Sequence, residues 1–251
     1  MTPQRLDVVF QIHWKGRWHV GSGYESAGAD RLIRRLGGSR GAPFVPGSQI
    51  KGVLRHHCER LLMSFGGEAV DPHATSAEQT RKLVEHFRPL ARSRLVVDRL
   101  FGTRYQGECL FVDNALPRKN AASLSSLRTR TAVDRVSGTI LERHLFTTEY
   151  AEGAESALEG RLHARHPAGV LTCEGDDFPY EYALLIAALL SLDNLGGDKS
   201  AGLGRCRFDI PPSGIICNGQ TVEARNALAS FEQCQGEWLD WVETVRAESQ
   251  E

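Results

Sequence analysis

Three short stretches of this 251-residue chain hold side chains whose types and spacing could do chemistry. The first is PGSQIKGVLR, residues 46–55. Pro46-Gly47 makes a turn, Ser48 can cap a helix, and Lys51 and Arg55 then fall one helical turn apart. A helix N-terminus offers free N–H groups and the positive end of a dipole, which suit a phosphate. Gly52 inside that helix costs about 1 kcal/mol against alanine, a cost that makes sense if something approaches the backbone. The plainer reading is a capped helix with two solvated cations. The second stretch is GGDKSAGLG, residues 196–204, with glycine at 196, 197, 202 and 204. Such a loop permits positive φ, and its N–H groups can cradle a phosphate. It lacks GxxxxGK[ST] and precedes a strand, so it is not a P-loop; a flexible turn is the alternative. The third stretch is GSGYESAGADRLIRR, residues 21–35, with Asp30 beside Arg31, Arg34 and Arg35. Taken alone, Asp30 is an ordinary turn residue.

These stretches need elements to position them. Leu6, Val8, Phe10, Ile12 and Trp14 alternate through residues 5–15, which predicts a half-buried strand. A long Gly-rich loop follows, of a length that is usually functional. Ile50, Val53, Leu54, Leu61 and Leu62 give a helical stripe after Pro46. A second helix is expected over 76–91, limited by Pro89. Residues 100–117 return to extended structure, and 116–126 form a polar loop. Two β-prone arms around Ser137-Gly138 predict a hairpin over 128–150. Residues 157–164 alternate again, 178–195 are apolar all round like a buried helix, and 222–246 form an amphipathic helix. The order fits an α+β, ferredoxin-like βαββαβ core with large insertions, an architecture that RNA-recognition modules share. Palm-like core segments are expected at about 1–65 and 105–210, with a helical insertion at 66–100.

Composition narrows the class. The chain is 41% hydrophobic and 24% charged, as in globular proteins. No run approaches the roughly 18 apolar residues of a membrane helix. The start, MTPQRLDVVF, does not resemble a signal peptide, so a cytoplasmic location is expected. The six cysteines form no CxxC pair and are expected as reduced thiols. Net charge is −1, yet residues 31–143 carry 20 Lys/Arg against 10 Asp/Glu, and residues 144–251 carry 7 against 18. Such a split suits a surface holding a polyanion, head-to-tail association of copies, or both.

The PGSxxKGxxR helix paired with a C-terminal GGxxSxGLGR loop resembles the RAMP superfamily of CRISPR–Cas systems. LFGT at 100–103 is similar to that superfamily's apolar-Gly box. RTAVDRVSGT at 130–139, with LFTTE to 149, looks like the thumb hairpin of the type III backbone subunit, the Cas-seven family of Csm and Cmr complexes. The resemblance implies a subunit that stacks with further copies of itself along a guide RNA, beside other type III CRISPR effector subunits. It carries guide contacts onto Ser48, Lys51, Gly52 and Arg55, and onto Gly197, Lys199, Ser200, Gly202 and Gly204. It places Arg130 and Arg135 on a thumb that wedges the guide–target duplex. Processing endonucleases of the superfamily generally lack the PGSxxKG helix and fit less well.

Type III backbone subunits that cut target RNA carry an aspartate in the loop before the PGS helix, and Asp30 matches it. An ordinary aspartate is ionised at neutral pH and a weak general base. It is better used to hold Mg²⁺ or Mn²⁺, or to orient a 2′-hydroxyl for attack on the adjacent phosphate. The expected products end in a cyclic phosphate and a 5′-hydroxyl. Lys15, Arg31, Arg34 and Arg35 are the nearby cations. His56, His57 and Cys58 are consecutive and diverge on a helix, so the spacing predicts no structural zinc. Two rival readings stay open: a guide-binding scaffold that does not cut, and a lone enzyme using the helix and loop for a small phosphorylated ligand.

Overall fold

The computed structural model describes residues 4–26, 28–38, 41–67, 69, 77, 96–103, 107–118, 124–153, 157–166 and 178–248, the last twelve by backbone alone. The expected helix over 76–91 and most of the 66–100 insertion lie outside them.

Strand β1, Gln4–Trp14, is the axis of the fold. Its alternation turns Leu6, Val8, Phe10 and Ile12 inward, all at most 1% exposed, because successive strand side chains point to opposite faces. Along one side β1 pairs antiparallel with β6, Leu158–His166, from Gln4 opposite His166 to Ile12 opposite Leu158. Two strands share its other side. β7, Cys206–Asp209, pairs with the C-terminal end, and β8, Ile215–Cys217, pairs with Leu6–Val8. β8 turns back into β9, Gln220–Val222. Short strands β2, Leu110–Val112, and β3, Leu116–Pro117, cover the far edge of β6. The sheet therefore runs β2–β6–β1–β7 with every pairing antiparallel.

Helices cover one face of this sheet. α1, Gly47–Ser64, buries Ile50, Leu54, Cys58 and Leu62 at helical spacing. α2, Val96–Phe101, is short and buried. α3, Tyr180–Leu190, is buried on every side over its first ten residues, since it lies on the sheet between α1 and α4, Ala224–Glu248. Phe231 on α4 packs against Phe65 and Tyr180. Glu181, inside this layer, is met by Arg99 of α2 at 3.5 Å, as a buried carboxylate requires. On the opposite face Arg5, Asp7, Arg161, Arg165 and Arg207 are exposed, together with Phe111 and Ile216.

β4, Ser125–Val133, and β5, Ile140–Ala151, form a separate two-stranded hairpin around the Asp134–Thr139 turn. Val136 at its tip is 96% exposed. The hairpin has two unlike sides. Directly opposed residues share a face, so Leu127 with Glu149, Thr129 with Thr147 and Thr131 with Leu145 make one side, and beyond a register shift Val133 pairs with Ile140. Arg128 and Arg130 lie on the other.

Some expectations are corrected. Ser48 is not the cap of α1: the helix already begins at Gly47 with Pro46 as N-cap, and no side chain caps it. The chain turns helical one residue earlier because proline's fixed φ sets up the first turn. Leu100 and Phe101, expected extended, end α2. β8 and β9 are too short for their pattern to stand out in sequence. Cys58, Cys109, Cys206 and Cys217 are free thiols, but Cys234 is disulfide-bonded, unlike the six reduced cysteines expected. Among the described residues no helix is long and apolar enough to cross a membrane.

Candidate functional site

Trp18 and residues 30–31 of the loop after β1 lie along the edge of β5 away from β4. Trp18 bridges Ala151 and Arg31 bridges Thr148. The N–H groups of Asp30 and Arg31 both donate to the Thr147 carbonyl, at 2.9 and 3.2 Å. The Thr147 N–H donates back to the Asp30 carboxylate. Backbone pairing thus fixes Asp30 at the hairpin's base, with its side chain exposed to solvent.

Glu149, two residues along β5, clamps the same loop from the side. Its carboxylate accepts the Arg35 guanidinium at 2.7 Å and the Ile33 N–H at 3.1 Å. Burial would raise the Glu149 pKa, but these donors outweigh it and hold the group below the usual glutamate range. Beside this clamp is a cleft of about 840 Å³ lined by Tyr24, Ala29, Leu32, Phe44, Leu127 and Arg34.

The Gly-rich loop reaches the same place from the other end of the chain. Gly196 and Gly204 both have positive φ, and a Cβ on either would strike the His19 or Leu195 carbonyl oxygen at 2.4 and 2.2 Å. These two glycines are needed so that the loop can lie on the backbone around His19. The Gly197 N–H donates to the His19 carbonyl at 2.8 Å, and the His19 ring sits 2.8 Å from the Glu149 carbonyl. Lys199, Ser200 and Gly202 form an exposed 3₁₀ turn and its cap.

Between loop and hairpin stands Asp198. It holds a left-handed conformation, φ 56°, uncommon outside glycine and enriched in Asp and Asn. Its carboxylate accepts Tyr150 Oη at 2.9 Å and meets Arg31 at 3.3 Å and Arg130 at 3.5 Å. Burial opposes ionisation here as well, but the Tyr150 hydroxyl and the two cations prevail and lower its pKa. The Arg130 guanidinium lies 5.5 Å from the centre of the Tyr150 ring, a cation–π arrangement. His19 is a candidate neighbour of the site by its place near the start of the loop, whereas Asp198, Tyr150 and Glu149 are not among the candidates the sequence offers. Asp198 lies inside the Gly-rich motif but at a position where residue type alone signals nothing.

The α1 candidates are placed differently. Lys51 Nζ is bound to Glu108 and to the Leu110 carbonyl, the latter at 2.7 Å. Arg55 donates to Glu59 at 2.8 Å, to the Gly102 carbonyl at 2.8 Å, and to Asp98. The Arg55 side chain thereby joins α1 to the LFG segment. The first N–H of α1, on Gly47, is taken by Asn114 Oδ1 at 2.9 Å. Gly52 and Ser48 lie on the exposed face, and nothing within 4 Å would meet a Cβ on Gly52. Gly47 and Lys51 thus face β2, while 196–204 face His19 and the hairpin. Helix and loop approach further along, where the His57 ring lies 3.4 Å from Ser191 Oγ and within the electrostatic reach of Lys199. Arg135 is exposed near the hairpin tip.

The residues around Asp30 fit a divalent cation only in a limited way. Among the described residues no three His, Cys, Asp or Glu side chains gather to hold a metal. Asp30 offers a single carboxylate that already accepts one N–H, so water and a bound ligand's oxygens would have to complete the shell, as Mg²⁺ tolerates. Cys58 is fully buried, which pushes its thiol pKa up, while His56 is exposed; the trio diverges.

A family model described as the RAMP superfamily matches residues 12–207, well over half of the chain. No curated protein matches it. The matched span includes Asp30, α1, the hairpin and the whole Gly-rich loop.

Proposed function

The chain belongs to the RAMP superfamily, and from that premise we propose that it is a guide-RNA-binding backbone subunit of a type III CRISPR effector that cuts complementary RNA with Asp30. The order β2–β6–β1–β7, with α1 after β1 and α3 between β6 and β7, supports a ferredoxin-like βαββαβ palm. The hairpin is then the thumb. Guide and target RNA lie over the exposed turn at Lys199–Gly202 and the Arg128–Arg130 side of the thumb. The exposed Val133, Val136 and Ile140 at the thumb's end and the divided charge suit further copies of the same chain, head to tail. Other subunits of the complex complete the assembly in the cytoplasm.

The observation that carries cleavage is the position of Asp30. Backbone bonds hold its exposed carboxylate at the root of the hairpin, where a splayed strand would pass. There it can orient a 2′-hydroxyl in line with the adjacent phosphate, and positioning of this kind supplies several kcal/mol of a barrier. Mg²⁺ or Mn²⁺, held by Asp30 together with RNA oxygens and water, would stabilise charge developing on the phosphate. Arg31, next in the chain, is the cation closest in sequence to that charge.

The test is Asp30→Ala within the assembled complex. Target RNA should still bind and remain uncut at the sites this subunit faces, and wild-type products should end in cyclic phosphate and 5′-hydroxyl. A second reading, a scaffold that binds guide RNA without cutting, is favoured by the Thr147 N–H that already occupies the Asp30 carboxylate. Undiminished cleavage by the alanine variant selects it.

A further inference from the structure

Two guanidinium groups from distant segments converge on a single carboxylate in this molecule. Arg31 comes from the long loop, Arg130 from the hairpin, and Asp198 from the Gly-rich loop. The two contacts are long, 3.3 and 3.5 Å, and each is recorded through one terminal nitrogen of its arginine. A guanidinium carries five N–H donors, so both keep donor edges in hand. The Arg31 side chain is 44% exposed and Arg130 30%. Two cations and one carboxylate leave a net positive point, next in sequence to Asp30.

We infer that Asp198 is a positioning residue that gathers Arg31 and Arg130 into one clamp for an RNA phosphodiester. The inference rests on the RNA-binding reading above and adds what organises the site. Without an intervening carboxylate the two guanidinium groups repel each other and drift apart. With it they share a focus, and their remaining donors can close on one phosphate, the geometry arginine serves best. Tyr150 makes the focus rigid. Its hydroxyl binds Asp198 while its ring carries Arg130, so the hairpin cannot shift without moving the clamp. The left-handed backbone at residue 198 turns the carboxylate toward the hairpin; aspartate and asparagine tolerate that conformation better than other side chains with a Cβ.

The experiment uses the full chain and a fluorescein-labelled single-stranded RNA, with affinity read by anisotropy across a salt series. The variants are Asp198→Asn, Arg31→Ala, Arg130→Ala, the double arginine variant and the triple variant, the last two compared with each other. Asparagine nearly matches aspartate in shape and accepts the αL backbone, so the fold should persist, as checked by the thermal midpoint. For single strands each phosphate contact contributes a slope of roughly −0.7 in log affinity against log salt. Each arginine variant should make the slope shallower by about that much. Asp198→Asn should do the same and weaken binding roughly tenfold, the equivalent of one charge-assisted hydrogen bond. In the triple variant the Asp198 change should add nothing, because it acts through the arginines. Tighter binding by Asp198→Asn would make the carboxylate a competitor of phosphate and overturn the proposal. So would an unchanged slope, a lower thermal midpoint with the slope intact, or a full Asp198 effect without the arginines. A wild-type chain that binds no RNA overturns both readings, whereas RNA binding with a slope insensitive to Asp198→Asn overturns this one only.

Discussion

Asp30 and Thr147 are joined in both directions: the Asp30 N–H donates to the Thr147 carbonyl at 2.9 Å, and the Thr147 N–H donates to the Asp30 carboxylate. The pair separates two roles for one side chain. Asp30→Asn keeps a carbonyl acceptor for Thr147 and removes the charge, whereas alanine removes both. If the carboxylate acts on RNA, both variants should lower single-turnover cleavage in the assembled complex by at least about 100-fold, the order that lost positioning produces. If it only ties the loop to the hairpin, asparagine should cut like wild type.

Gly52 and Gly47 should answer oppositely to alanine. A Cβ on Gly52 meets nothing within 4 Å, so Gly52→Ala should stabilise α1 by up to about 1 kcal/mol. If RNA lies on that face, the same change should weaken RNA binding while the thermal midpoint rises. A Cβ on Gly47 would strike the Val112 carbonyl oxygen at 1.9 Å. Gly47→Ala should therefore destabilise by about 2 kcal/mol, as overpacking does. Denaturant titration measures both.

Arg55 is expected to matter for folding rather than for RNA. Its side chain is 16% exposed and its partner Asp98 only 1%. Arg55→Ala strips a buried carboxylate of a cation and should cost about 3 kcal/mol. The salt slope of RNA affinity should not change. A shallower slope with unchanged stability would return Arg55 to the RNA surface.

The Glu149–Arg35 pair makes loop anchoring pH-dependent. Burial pushes the Glu149 pKa up, but Arg35 and the Ile33 N–H hold it below the ordinary glutamate value. A carboxylate depressed in the folded state contributes stability that is full above its unfolded pKa and is lost as pH falls through its folded pKa. Glu149→Gln should thus cost about 1 kcal/mol at neutral pH. The gap from wild type should close on acidification below about pH 4. Thermal midpoints of the two proteins across an acid series measure it, and a constant gap would assign the pair no electrostatic role.

What could be read from sequence was local. The alternation of Leu6, Val8, Phe10 and Ile12 marks β1, the unbroken apolar run marks α3, and Ser137-Gly138 marks the hairpin turn, because a period of 2 or 3.6 is written in neighbouring residues. The motif glycines point to positive φ and a close backbone, as Gly196 and Gly204 have, but not to which backbone comes close. Gly47 is needed where α1 meets Val112, and Gly204 where the loop meets Leu195. Lys51 and Arg55 look alike in the sequence, yet both spend their charge on partners more than forty residues away, Glu108 and Asp98. Asp198 gives no sign of its role, since Arg31 is 167 residues before it and Arg130 is 68. The pattern along the chain settles which face of each element is buried. Which polar groups meet across the core follows only from packing those elements together, because the interaction depends on distance in space and carries no periodicity in the chain.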